Sequence, residues 1–298
     1  MSSTRIALCA AVCAAFACSA RPTTVEEPHM PQPPATSSPV TAGHLPINGL
    51  QMYYEVHGTA GGTPLVLLHG GGSTIDSTYG RVLPWLAQHR RLIAVEEQAH
   101  GRTSDRDAPE RFETSADDVD ALLAQLGVAT ADVMGFSNGA SVALQFALRH
   151  PARVRRLIFA SSMTKRSGAA QAFWDGFPHA SFGDMPQPLK DAFLRVNPDP
   201  QKLHRMFERD VERMLHFRDV PDADVAKVAI PVLIVAGDRD VPTTAHAVEL
   251  SHLFPHARLI ILPGGHGDYL GEIMTASHAD RAPELTVWLI EQFLDAPA

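Results

Sequence analysis

Ala131-Asp132-Val133-Met134-Gly135-Phe136-Ser137-Asn138-Gly139 is a short apolar run that ends in a G-x-S-x-G pattern, and residues 140–149 (ASVALQFALR) follow it as a helical stretch. A pentapeptide of this kind also suits a plain Ser/Asn/Gly loop, so its setting decides the reading. Here a strand runs into a helix, and Ser137 stands on the sharp turn between them. Such a turn forces the serine into a strained backbone conformation that only small neighbours tolerate, and Gly135 and Gly139 supply the room. Ser137 is therefore the candidate nucleophile.

Outward from this turn, the chain alternates short apolar runs with helical ones. Residues 64–69, 91–96, 131–135, 154–161, 231–236 and 257–262 read as strands of a parallel sheet covered on both faces. Residues 79–88, 115–126, 140–149, 244–253 and 283–294 read as the helices between and after them. Residues 50–56 (LQMYYEV) have period-two character, and the glycines at 58–62 end them, which predicts an antiparallel edge strand. The pattern is that of a single α/β domain with right-handed crossovers. One interval, 164–228, has no strand run but carries Phe173, Trp174, Phe177, Phe182, Phe193, Met206, Phe207, Met214 and Phe217. It reads as a helical insertion whose apolar side chains either line a pocket or pack on the core.

With 298 residues and 45% hydrophobic content, the chain can bury one large core, and its net charge of −8 without a basic run argues against a nucleic-acid partner. Residues 1–20 have the form of a signal peptide: Arg5, then an apolar run over 6–17 too short to span a bilayer. Residues 21–42 are rich in Pro, Thr and Ser and read as a semi-extended tether, which leaves 43–298 as the folded domain. All three cysteines, Cys9, Cys13 and Cys18, lie in the leader, so no disulfide framework and no cysteine metal site is available to the folded part. Ala15-Phe16-Ala17-Cys18 before a polar tether resembles a bacterial lipoprotein cleavage site, with Ala15 where such sites usually carry Leu. The expectation is an exported protein, either attached to a membrane through a lipidated Cys18 or released by ordinary cleavage.

A serine on such a turn needs a base and a partner that orients it. Gly237-Asp238-Arg239-Asp240 follows the run at 231–236, and Pro263-Gly264-Gly265-His266-Gly267 follows the run at 257–262. Both sit at the carboxyl ends of predicted parallel strands, where ligands bind in open α/β sheets. Ser161-Ser162-Met163, after the strand before, offers no carboxylate, so Asp238 and Asp240 are the candidate acids. His266 is set apart from the other histidines by its place between glycines after the last strand. His69-Gly70-Gly71-Gly72 follows the run at 64–68; a glycine turn there lets backbone N–H groups approach a substrate oxygen. Gly71 and Asn138 are the candidate oxyanion donors, with Gly72 able to replace Gly71.

From residue 43 onward these segments resemble those of an α/β-hydrolase-fold serine hydrolase with a helical cap. The resemblance implies a mostly parallel central sheet with helices on both faces, a cap over 164–228, and a chain order of nucleophile Ser137, acid Asp240 and base His266. Asp240 is preferred to Asp238 because related hydrolases place the acid in a G-x-x-D arrangement. The loop Glu96-Glu97-Gln98-Ala99-His100-Gly101-Arg102-Thr103-Ser104 is similar to the family's Asp-x-x-Gly-x-Gly-x-Ser loop, with Glu96 and Ala99 in place of Asp and Gly. That loop is generally structural, and His100 is read as a packing or hydrogen-bonding residue. The family implies acyl transfer to water through an acyl-serine, without metal or organic cofactor. The expected substrate is an apolar small-molecule ester or lactone. Amide, carbon–carbon bond and cofactor-free haloperoxidase chemistry on the same residues, and a non-catalytic binding module, are the competing readings.

Overall fold

The computed structural model describes residues 41–275 and 281–297. The leader and most of the tether, Cys18 included, lie outside the described residues. The tether expected through residue 42 gives its last two residues, Thr41 and Ala42, to a strand. β1 (Thr41–Ile47) and β2 (Leu50–His57) form an antiparallel hairpin, with Ile47 facing Leu50 across Asn48-Gly49. Both turn residues have positive φ, 46° and 86°, the geometry that Asn-Gly favours because it matches strand twist. The outer strand is thus β1; the run at 50–56, expected at the edge, is covered by it.

β3 (Leu65–Leu68) leads through α1 (Ile75–Tyr79) and α2 (Leu83–His89) to β4 (Leu92–Val95), and α3 (Phe112–Gln125) leads on to β5 (Ala131–Phe136). α4 (Asn138–Arg149) follows, then β6 (Val154–Ala160). Between β6 and β7 the chain makes only short 3₁₀ turns and the helices α5 (Gln171–Gly176), α6 (Gln187–Val196), α7 (Pro200–Leu215) and α8 (Asp222–Val225). β7 (Val232–Gly237), α9 (Thr244–Leu253), β8 (Ala257–Leu262) and α10 (Ala282–Leu294) complete the fold.

The eight strands lie in the order β1-β2-β4-β3-β5-β6-β7-β8. β2 is antiparallel to both neighbours, and the strands from β4 to β8 are parallel. All residues of β3, β4, β5 and β7 are buried, as strands covered on both faces must be. One face packs on α3, α4 and α9 through Val119, Leu123, Phe146 and Leu250; the other packs on α2 and α10 through Leu86, Ile290 and Phe293. β8 is the exception, an edge strand with Ile261 turned to solvent.

The strand order reverses at β3. From there the chain goes out to β4, then returns to lay β5 on the other side of β3. The loops leaving β3 and β5 therefore diverge, which opens a crevice at their carboxyl ends. Leu68 pairs with Gly135 and Phe136 with Ala160, so Gly70, Ser137 and Ser161 reach the same level of that crevice.

Candidate active site

Ser137 has φ 55° and ψ −122°, a conformation sparsely populated by residues with a side chain, and it is the residue immediately before α4. The glycines around it are required by contact. A Cβ on Gly135 would come within 2.1 Å of the Gly139 carbonyl oxygen, and one on Gly139 within 2.2 Å of the Leu68 carbonyl oxygen. The Ser137 N–H donates to the Ala160 carbonyl at 2.9 Å, which ties the turn to β6. The N–H groups at the start of α4 have no i−4 carbonyl, so the helix presents donors and the positive end of its dipole beside the serine.

The structure separates the two candidate acids. Asp240 Oδ1 lies 2.6 Å from His266 Nδ1, with the aspartate side chain fully buried. The Asp238 carboxylate instead accepts from the Gly264 N–H at 2.8 Å and is half exposed, so it shapes the β8 turn without facing the imidazole. Asp240 also accepts from the Ser161 hydroxyl (2.5 Å) and from the N–H groups of Gly237 (2.9 Å) and Val241 (2.7 Å). Burial pushes its carboxyl up, but the bond and charge of His266, with these other donors, outweigh burial and hold it below the usual range. An ionised Asp240 accepts a hydrogen bond from His266 Nδ1–H, which fixes the tautomer and leaves Nε2 free to accept. The His266 ring leans on Phe136, the residue before the serine, with centroids 4.8 Å apart. No hydrogen bond joins Ser137 Oγ to His266 among the described residues.

Gly70 and Gly71 bring the β3 turn up to the serine. A Cβ on Gly70 would lie 3.4 Å from Ser137 Cβ, and one on Gly71 would come within 2.5 Å of the Asn138 side-chain amide. Gly71 thus lies against the Asn138 side chain, beside the serine turn, where a reacting carbonyl oxygen would need donors. Gly72 has φ 68°, and its N–H is already given to Asp210 at 2.5 Å, which leaves it unavailable as a replacement for Gly71 in this arrangement.

A family model for the alpha/beta hydrolase fold matches residues 63–210, which hold the β3 turn, the serine turn and most of the cap. The chain has the α/β-hydrolase fold. It is 30% identical over 243 residues to the dihydrolipoyllysine-residue acetyltransferase component of an acetoin cleaving system from Pseudomonas putida, covering 82% of this chain and 61% of that relative's length. It is 27% identical to pimeloyl-[acyl-carrier protein] methyl ester esterase from Yersinia enterocolitica, over 81% of this chain and 98% of that one. Among solved structures, one described as Est816, an N-acyl homoserine lactone degrading enzyme, superposes with a TM-score of 0.65 at 26% identity, covering 84% of this chain and 99% of its own.

In this α/β-hydrolase fold the loop after β4 is a structural clamp. Glu96 Oε1 pairs with the Arg102 guanidinium at 2.7 Å and Oε2 accepts the Arg102 N–H at 2.6 Å. A Cβ on Gly101 would collide with that carboxylate, so Gly101 is what lets Glu96 fold under the loop. Ala99 holds φ 62° where the family pattern has glycine, and the hydroxyl that ties the loop to the Glu96 carbonyl comes from Thr103 at 2.6 Å. His100 is buried, as a packing and hydrogen-bonding residue would be, but one of its bonds goes to the cap: Nε2 meets Asp210 at 3.1 Å.

Three side chains at the site escaped the sequence reading. Ser161, Tyr269 and Asp210 approach from loops and a helix with no glycine or spacing signature to mark them. Ser161, at φ 51°, gives Asp240 its second side-chain donor and touches the Tyr269 hydroxyl at 2.6 Å. The aromatic and methionine side chains of 164–228 pack mainly on one another. Trp174, Met214, Phe173, Phe177 and Phe217 form one cluster, and Met185, Phe193, Met206, Phe182 and Phe207 another. The second cluster reaches the site, since Met185 and Leu189 lie 3.6 Å from where a Cβ of Gly72 would stand.

Proposed function

We propose that this hydrolase cleaves a carboxylic ester or lactone through an acyl-serine intermediate, with Ser137 as nucleophile, His266 as general base and acid, and Asp240 as its orienting partner. The observation that carries the reading is the buried Asp240 carboxylate bonded to His266 Nδ1 beside a serine held at φ 55°. His266 Nε2 takes the Ser137 proton as Oγ attacks the acyl carbon. The developing oxyanion is held by the N–H groups of Gly71 and Asn138, and by the start of α4 behind them. His266 then returns the proton to the leaving alkoxide and activates the water that releases the acid. Met185 and Leu189 beside the glycine turn suit an apolar acyl group.

A panel of esters, lactones and amides of graded acyl size, run on the wild type and on Ser137→Ala, tests this. Ester or lactone turnover that Ser137→Ala abolishes is the expected result; turnover that persists in Ser137→Ala overturns the assignment. The leader reading adds export, with Cys18 lipidated or removed, as a second part of the proposal. Mass spectrometry of the mature N-terminus decides it: an acylated Cys18 or a start just beyond it supports export, and an intact Met1 on cytoplasmic protein refutes it.

A further inference from the structure

The cap reaches the site through one carboxylate. Asp210, on the inner face of α7, accepts from the Gly72 N–H at 2.5 Å, from the Asn138 side-chain amide at 3.4 Å and from His100 Nε2 at 3.1 Å. Gly72 follows one candidate oxyanion donor, and Asn138 is the other. A single side chain of the cap therefore grips both halves of the oxyanion hole.

The grip matters because of what it holds. Gly70, Gly71 and Gly72 form three successive residues without side chains, the backbone with most freedom to lose. The core pins the first of them: the Gly70 N–H donates to the Thr78 hydroxyl oxygen at 3.4 Å, and the Gly70 carbonyl accepts the Ser73 N–H at 3.3 Å. The peptide between Gly71 and Gly72 is held at its N–H by Asp210 at 2.5 Å and, over a longer contact of 3.4 Å, at its carbonyl by the Ser73 hydroxyl. Oxyanion stabilisation depends on donors fixed in place before charge develops, so a loose Gly71 would forfeit much of its contribution.

A carboxylate this close to a developing oxyanion would oppose it unless its charge were matched. His100 matches it. Its Nδ1 faces the Gln98 carbonyl at 2.8 Å and its Nε2 faces Asp210; both partners are acceptors, so both nitrogens must carry hydrogen. The groups around His100 are Asp210 and Arg213 from α7, Glu97 after β4, Glu110 at 3.7 Å from the segment before α3, and the His69 ring at 4.8 Å. Burial pulls the His100 imidazole down, yet the charge and bond of Asp210 outweigh it and raise it above the ordinary histidine range. His69, by contrast, is pushed down to about 4 by burial and the His100 charge, and its Nε2 accepts the Glu97 N–H, so it is the neutral member of the stack.

We propose that Asp210, charge-matched by His100, is a positioning residue that assembles the oxyanion hole when the cap is docked. The role rests on the serine-hydrolase reading above. The cap then covers the substrate and completes the machinery in one motion, and the hole loses its shape when α7 lifts.

The test is the rate of Ser137 labelling by a fluorophosphonate, together with kcat and KM on an activated ester, for the wild type, Asp210→Asn, His100→Gln and Asn138→Ala. Asp210→Asn is expected to lower both kcat and the labelling rate by about tenfold to a hundredfold while KM stays within about twofold, because the lost term acts on the transition state. Asn138→Ala keeps its backbone donor and loses only the grip; it is expected to lower kcat less, and its effect to shrink when Asp210 is already Asn. The wild-type kcat is expected to fall at alkaline pH as His100 loses its proton, and this limb to vanish in His100→Gln. Circular dichroism and melting confirm that each variant is folded. Wild-type labelling with an equal or faster rate in folded Asp210→Asn overturns the positioning role and makes Asp210 a plug on the site. A rise in KM at unchanged kcat also overturns it. A wild type that neither labels nor turns over ester overturns the hydrolase reading itself.

Discussion

The sheet and the cap are held by different forces. β3 and β4 are buried from end to end, and the helices on both faces meet them with Val, Leu, Ile and Phe. The inner face of α7 meets the same core with charge: Arg209 on Asp105 at 3.0 Å, Asp210 on His100, and Arg213 on Glu97 at 3.0 Å and on Glu110. Apolar burial is tolerant of direction, whereas a buried ion pair is stable in one register only. The scaffold of the site is thus fixed by packing, and the cap is indexed onto it by electrostatics.

The sharpest break of this comparison comes on the core side. Asp240→Asn should lower kcat/KM by about 10⁴, since an amide presents the wrong partner to His266 Nδ1, while Asp238→Asn should change it little. Equal losses from both variants would show that the β7 loop is needed as a whole and not for one carboxylate.

On the cap side, Arg213→Met leaves Glu97 and Glu110 buried without their cation. Glu97 Oε1 and both Glu110 oxygens already lack hydrogen-bond donors among the described residues, and the His100 imidazole, 3.7 Å from Glu110, is engaged by Asp210. A loss of about 3–5 kcal/mol is expected, with limited proteolysis cutting first within the cap. If Arg213→Met is as stable as the wild type and its cap resists protease, the cap is held by its apolar clusters and the contrast fails.

The same contrast explains what the sequence made legible. The serine turn, the acid loop and the β8 turn all lie where strands run out into glycines; Ser137 and His266 could be named from those glycines, whereas Asp240 was preferred to Asp238 on the resemblance to a G-x-x-D arrangement. The β3 turn was marked in the same way by Gly70, Gly71 and Gly72. Asp210 carries no such mark: residues 207–213, FERDVER, read as the charged face of a helix, and only the fold shows that this face turns inward. β1 is hard to see in the sequence because Pro46 interrupts its pattern, leaving Asn48-Gly49 as its local hairpin signal. α1, at five residues, is too short to show a helical period.

A smaller effect sharpens the comparison within the core. Glu272 is buried after β8 and accepts the Met274 N–H at 2.6 Å. Burial pushes its carboxyl up to about 6. With the folded value above the unfolded one, the protonated form contributes stability that is full below about pH 4.5 and is lost as pH rises through about 6. Glu272→Gln should therefore raise the melting temperature at pH 8 by the equivalent of about 1–2 kcal/mol relative to its effect at pH 4. A pH-independent difference would mean that the Glu272 carboxyl titrates alike in the folded and the unfolded chain.

The smallest expected effect lies at the loop where core and cap meet. Ala99 holds φ 62°, a region that costs a residue with a side chain about 1–2 kcal/mol and glycine nothing comparable. After the larger entropy of glycine in the unfolded chain is counted, Ala99→Gly should stabilise by about 0.5–1 kcal/mol in chemical denaturation. No gain would place the loop's strain in its clamp around Glu96.

The central claim is that acyl transfer passes through Ser137. Rapid quenching of the wild type with an activated ester, followed by peptide mass spectrometry, tests it most directly. The account predicts the acyl mass on the peptide containing Ser137 in the wild type, and none in Ser137→Ala. Ester turnover with no acyl mass on Ser137, or with the acyl group on another side chain, would contradict it.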